Sequence, residues 1–146
     1  MGKSVREAAM DILSRREHST FELRQKLQRK GHDETEIDTA LQQLAEDNLL
    51  SDERFVESFV HSRRERGSGP RKIAVELAQK GVSDTLISRY LDERSPLWID
   101  RASDVRARKF GDALPADYKE KARQMRFLQQ RGFTTEQIQS VVRDDD

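Results

Sequence analysis

Apolar residues return along this chain every three or four positions. Val5, Ala8, Ala9, Ile12 and Leu13 fall at i, i+3, i+4, i+7 and i+8, one face of a helix. No segment alternates apolar and polar residues over the length of a strand. Between the glycines and prolines run stretches of Leu, Glu, Lys, Arg, Gln and Ala, all good helix formers. The pattern predicts an all-α protein of roughly nine short helices.

The pattern also repeats. Residues 23–41, 73–91 and 124–142 align on Gly31, Gly81 and Gly132. Leu27, Leu77 and Leu128 stand four residues before the glycine, and Ile37, Ile87 and Ile138 stand six after it. Lys30, Lys80 and Arg131 immediately precede it. A glycine just past a helix takes the left-handed conformation that ends it without a Cβ clash. Two residues on, Asp33, Ser83 and Thr134 suit the N-cap of the next helix. Glu36 and Gln137 can then close capping boxes, which Leu86 cannot. Val82 and Phe133 can staple against Ile87 and Ile138, and His32 takes that place in the first copy.

Each of these helix–turn–helix pairs has a third helix in front of it, expected at residues 4–17, 52–66 and 98–110. Ser19 with Glu22 forms a capping box opening a helix at 20–30, and Ser51 caps the helix that starts at Asp52. Gly69 followed by Pro70 opens a helix at 70–80. The expected fold is all-α, with three tandem three-helix repeats at residues 1–50, 51–96 and 97–146 in an elongated, curved array. A longer loop is expected at 111–117. The third repeat ends in the acidic Asp144–Asp146. Phe55, Phe59, Leu77, Ile87 and Leu91 are expected in the middle core.

The chain has no cysteine, which excludes disulfides, thiolate-bound zinc, iron–sulfur clusters and thiol catalysis and fits a cytoplasmic location. No signal peptide is expected from residues 1–7, and no apolar run reaches the length of a membrane span. His18, His32 and His61 share no metal-ligand spacing. There is no nucleophile elbow, and Gly67-Ser68-Gly69-Pro70 lacks the spacing of a phosphate loop. A protein without catalysis, metal or cofactor is expected.

Charged residues make up 37% of the chain, with 27 basic and 27 acidic groups. Their distribution matters more than their sum. Arg63, Arg64, Arg66, Arg71 and Lys72 oppose only Glu65 around a glycine-rich turn. Such a patch can meet phosphates or an acidic protein surface. The plainer alternative is arginine placed against a helix C-terminal dipole. Lys119, Lys121, Arg123, Arg126 and Arg131 form a second cluster, interrupted by acids. Residues 1–54 are net acidic, and the helix after Gly31 is expected to repel phosphate. Helix–turn–helix geometry invites a DNA-binding reading, but duplex binders usually carry a basic excess that is missing here.

Taken in order, these residues resemble the RecX family, the bacterial regulators of the RecA recombinase. The resemblance covers about residues 5–142. It rests on Glu22-Leu23, Lys26-Leu27 and Lys30-Gly31, then Leu49-Leu50-Ser51-Asp52-Glu53-Arg54-Phe55. The most specific part is Phe55, Phe59, Arg63, Gly69-Pro70-Arg71-Lys72-Ile73, Glu76-Leu77 and Lys80-Gly81-Val82. Trp98, Ala102, Arg131-Gly132-Phe133, Ile138 and Val141 complete it.

The resemblance implies a non-enzymatic, monomeric protein that binds the RecA filament on single-stranded DNA. Such proteins suppress filament extension, ATP hydrolysis, strand exchange and co-protease activity, and weak direct DNA binding accompanies this. Arg63, Arg64, Arg66, Arg71 and Lys72 are the expected contacts, with Arg123, Arg126 and Arg131 as a second set. The alternative is a helix–turn–helix DNA-binding regulator that acts without RecA.

Overall fold

A computed structural model describes residues 2–143; the acidic Asp144–Asp146 lies outside the described residues. Among them are nine α-helices and no strand. They are α1 (Val5–Leu13), α2 (Thr20–Arg29), α3 (Glu34–Glu46), α4 (Asp52–Glu65), α5 (Pro70–Gln79), α6 (Asp84–Tyr90), α7 (Leu97–Phe110), α8 (Tyr118–Arg131) and α9 (Thr135–Val142).

The three glycine turns form as the repeat predicts. Gly31, Gly81 and Gly132 all have positive φ, at 86°, 75° and 101°. In each, the residue after the glycine donates its N–H back to the aligned leucine carbonyl. These bonds are His32 to Leu27 at 3.3 Å, Val82 to Leu77 at 3.2 Å and Phe133 to Leu128 at 3.2 Å. They satisfy carbonyls the helix end leaves open. Leu27, Leu77, Leu128 and Ile37 are fully buried, and Ile87 and Ile138 nearly so. Val82 and Phe133 are buried as staple residues should be.

The caps follow the sequence, except that the capping box expected of Glu36 does not close and only Asp33 caps α3. Ser19 with Glu22 and Thr134 with Gln137 close reciprocal capping boxes. Asp33 accepts from both Thr35 and Glu36 N–H. Ser83 accepts from Leu86 N–H at 3.2 Å, and Ser51 accepts from Arg54 N–H at 3.1 Å. One helix is shorter than expected. α1 ends at Leu13 rather than continuing to residue 17. The chain from Ser14 to Ser19 leaves the helix because it must bury His18 and present Ser19 as the cap of α2.

The described residues gather into two compact units. The first runs to Phe59 and includes Leu77–Ile87. In it α1, α2 and α3 pack on one another. Val5, Ala8, Ala9, Leu23, Leu27, Ile37, Ala40, Leu41, Leu44 and Leu50 make its core cluster. The second comprises Val60–Glu76 and the chain from Ser88 onward. In it α7, α8 and α9 pack on one another, burying Trp98, Ala102, Leu128, Phe133, Ile138, Val141 and Val142. The Trp98 indole N–H donates to the Asp92 carbonyl at 3.0 Å. Of the expected middle core, Phe55, Leu77, Ile87 and Leu91 are buried and Phe59 half-buried.

Candidate functional site

In the second unit, the turn at 67–70 docks on the turn that ends α8. Gly69 donates its N–H to the Arg131 carbonyl at 2.7 Å, and Arg71 donates to the Gly132 carbonyl at 2.9 Å. Arg71 lies in the first turn of α5, so its N–H has no intrahelical partner and Gly132 supplies one. The approach requires glycine twice. A Cβ on Gly69 would overlap the Gly132 and Phe133 backbone, and a Cβ on Gly132 would overlap Lys72. This contact joins two basic stretches that stand about sixty residues apart in the chain.

The predicted contact residues divide by what their side chains do. Arg63 donates from Nε to Glu76 at 3.1 Å with both half-buried, and so clasps α4 to α5. Arg64 donates from Nη2 to His61 Nδ1 at 3.3 Å, and its buried Nε lies 3.9 Å from Glu65 without making a hydrogen bond. These two are held by the fold. Arg66 and Lys72 are exposed, and no described residue pairs with either side chain. Arg71 is 65% exposed and meets Glu93 at 3.6 Å.

Arg123 grips Glu120 through two donors at 3.1 and 3.2 Å and lies over the Phe110 ring. Arg131 lies over the Phe127 ring at 5.3 Å. Arg126 is exposed, again with no pairing side chain among the described residues.

Electrostatics separates the two readings of the patch. Arg63 and Arg64 stand in the last turn of α4, where a cation is favourable. Arg71 and Lys72 stand in the first turn of α5, which holds no acid. There the helix dipole disfavours positive charge, so local helix stability does not account for them.

The sequence missed two arrangements. Arg106 is buried and donates to the Ala113 and Asp112 carbonyls at 3.2 Å and to Gln124 Oε1 at 3.3 Å. It ties down the loop at 111–117, a structural task that spacing alone does not reveal.

The other is a basic pocket in the first unit. A cavity of about 570 Å³ is lined by Lys3, Arg15, Arg16, Lys26, Arg29 and Lys30, with Asp11, His18, Ala8 and Ile12. The acidic count of residues 1–54 hid it, because cations follow α1 and end α2 while most of the acids of this stretch do not line the cavity. The Arg15-Arg16 and Arg29-Lys30 pairs, each just after or at the end of a helix, were the available signal.

Beneath the pocket lies a polar cluster. Glu22, 7% exposed, meets Arg16 Nη2 and Lys80 Nζ, both at 3.1 Å, and accepts from the Ser19 N–H at 3.1 Å. Burial alone would raise its carboxyl pKa. Arg16, the Ser19 N–H and Lys80 overcome that and hold it at about 2. His18 is 1% exposed. Its Nδ1 lies 3.0 Å from the Arg16 carbonyl and its Nε2 lies 2.7 Å from Lys26 Nζ. Facing a carbonyl, Nδ1 carries the proton; facing an ammonium, Nε2 accepts. Burial, and the charges of Arg16 and Lys26, lower the pKa of His18 despite its bond to the Arg16 carbonyl.

Among the described residues no helix is long and apolar enough to cross a membrane. Three family models match in order: the first RecX three-helix domain over residues 6–44, the second over 51–91 and the third over 99–142. The chain is 48% identical over 140 residues to "Regulatory protein RecX" of Halorhodospira halophila, covering 96% of this chain and 87% of that one. It is 43% identical over 139 residues to the protein of the same name from Pseudomonas fluorescens, covering 95% and 90%. Its fold matches the crystal structure of RecX from Lactobacillus salivarius at a TM-score of 0.78, with 20% identity, over 94% of this chain and 92% of that one. With all three domains matched in sequence and the three-turn architecture in place, this chain belongs to the RecX family.

Proposed function

We propose that this protein is a negative regulator of the RecA recombinase that binds the RecA filament on single-stranded DNA. It acts by binding, as a monomer, without cofactor or catalysis, in the cytoplasm. Occupying the filament opposes its extension and lowers ATP hydrolysis, strand exchange and co-protease activity. Membership of the RecX family across three domains carries this reading. The basic surface around the Gly69–Gly132 contact supports it, since an acidic or phosphate-rich groove is what that surface complements. Arg66, Arg71, Lys72 and Arg126 are the side chains it offers. Arg63, Arg64, Arg123 and Arg131 set the shape of that surface through the partners described above.

The test is ATP hydrolysis by RecA on circular single-stranded DNA with this protein at substoichiometric ratios. Hydrolysis should fall at ratios too low to coat the DNA. Unchanged hydrolysis alongside tight binding to naked DNA would instead favour a helix–turn–helix DNA-binding regulator that acts without RecA.

A further inference from the structure

We infer that the open glycine turn of the first domain, Lys30-Gly31-His32, receives the start of α8 from a second copy of this chain, so that copies join head to tail. The ground for it is a contact made twice inside the molecule. In the first unit, the start of α2 docks on the turn at Gly81. Ser19 Oγ donates to the Lys80 carbonyl at 2.8 Å, Glu22 meets Lys80 Nζ at 3.1 Å, and a Cβ on Gly81 would overlap Phe21. In the second unit, the start of α5 docks on the turn at Gly132. Gly69 donates its N–H to the Arg131 carbonyl at 2.7 Å, and Lys72 lies against the glycine. Ser19 and Gly69 hold the same place in the repeat, twelve residues before Gly31 and Gly81. Both donate to the carbonyl of the basic residue that precedes the receiving glycine.

The third turn of this kind is open. Gly31 has the same positive φ, yet a Cβ there would meet nothing within 4 Å. Among the described residues none donates to the Lys30 carbonyl. Lys80 and Arg131 are half-buried, whereas Arg29 and Lys30 are exposed and pair with no described side chain. His32 is half-buried where Val82 and Phe133 are buried.

The occupant follows from the one remaining helix of the series, α8, whose start no described turn of this kind receives. Asp117 caps α8 by accepting from the Glu120 N–H at 2.8 Å. Tyr118, the first helical residue, is 86% exposed. The Tyr118 and Lys119 N–H groups lie in the first turn, where the helix has no carbonyl for them. Lys119 holds the place that Arg71 holds in α5, and there the Gly132 carbonyl takes the N–H. Charge agrees with this pairing. Glu120 is the third residue of its helix, as Glu22 is of α2. Glu22 meets Lys80, the residue before Gly81; between copies, Glu120 meets Lys30, the residue before Gly31. Asp117 and Glu120 bring two carboxylates to the exposed Arg29 and Lys30.

The two sides of this contact are different surfaces, so it is heterologous and adds copies in an open series. One turn against one helix end is a small interface, so the free protein stays monomeric in dilute solution. Copies bound along one elongated partner become neighbours and reinforce each other's hold. That consequence rests on the filament reading; the contact itself does not.

The test uses the lack of native cysteine. Full-length Arg29→Cys and Tyr118→Cys chains, one carrying a size tag, are mixed at about 100 μM without RecA, high enough for a weak contact to form, and mildly oxidised. Disulfide-linked pairs are read on a non-reducing gel. Controls are each variant alone, and Tyr118→Cys mixed with Arg108→Cys, which removes an equally charged, exposed residue outside the contact. Far-UV circular dichroism checks that all are folded. The Arg29→Cys and Tyr118→Cys mixture should cross-link roughly fivefold or more above every control. Glu120→Gln, added to the Tyr118→Cys chain, should lower that yield severalfold.

Equal yields in all mixtures would overturn the contact. An excess of Tyr118→Cys chains linked to themselves would show a two-fold contact and overturn the head-to-tail arrangement. A yield untouched by Glu120→Gln would overturn the pairing with Lys30. RecA takes no part, so failure here leaves the filament reading standing.

Discussion

Glu22 and His18 lie four residues apart and face opposite electrostatic demands. Glu22 stays ionised because its donors outweigh the cost of burial. With its folded pKa near 2 against about 4.5 unfolded, its contribution is complete above pH 4.5 and is lost as pH falls toward 2. That contribution is about 2–3 kcal/mol. Glu22→Gln should lose about this much at pH 7 and show a correspondingly flatter acid limb, read by urea unfolding between pH 2 and 7.

His18 is kept neutral beside two cations. Its folded pKa lies below 6.5, so the unfolded chain takes up the proton first as pH falls. Stability from this residue is full above about pH 6.5 and declines below it. His18→Gln, which keeps a donor and an acceptor, should remove the component of the midpoint shift that sets in just below pH 6.5. An unchanged pH profile in that range would show that the ring is solvated enough to titrate normally.

At the scale of elements, what was legible was what is local. Caps, glycine turns and the leucine and isoleucine positions are set by spacings of a few residues, and the structure repeats the turn three times with the same backbone bond. The end of α1 was not legible, because burying His18 depends on Lys26 in the next helix. Nor were the tasks of Arg63 and Arg106, whose partners stand on other elements or at loop carbonyls. The basic pocket was missed for the same reason: a charge summed along 54 residues averages over faces the fold separates.

The glycines give a graded test of the turns. Gly31 has φ 86° with open space around its Cβ direction, so Gly31→Ala meets only backbone strain, about 1 kcal/mol. Gly132 has φ 101° and abuts Lys72 of α5, so Gly132→Ala adds a steric conflict to the same strain. It should cost about 2 kcal/mol or more, measured by chemical unfolding. Leu77→Ala, at a fully buried position, should cost about 2–5 kcal/mol. Loss of inhibition in that variant reports a fold defect rather than a contact.

For the molecule as a whole, charge is balanced in sum and uneven in place. Two groups of cations make no ion pair with a described carboxylate: Arg15, Arg29 and Lys30 at the pocket of the first unit, and Arg66, Lys72 and Arg126 in the second. Cations that the fold does not use, or uses against a helix dipole, are the ones whose placement needs another cause. Arg71 and Lys72 meet that criterion most directly, and they separate binding from stability. Arg71→Ala removes only an exposed ion pair with Glu93, worth little. Lys72→Ala keeps the Cβ that faces Gly132, so the docking of the two turns survives. Removing both charges from the first turn of α5 relieves their conflict with its dipole. The double variant should therefore melt within a few degrees of the wild type. If these residues meet the filament, inhibition of RecA-catalysed ATP hydrolysis should weaken roughly tenfold or more, the scale of two charge-assisted contacts. A double variant that inhibits as well as the wild type would remove Arg71 and Lys72 from the contact surface and leave the rest of the basic face to be tested.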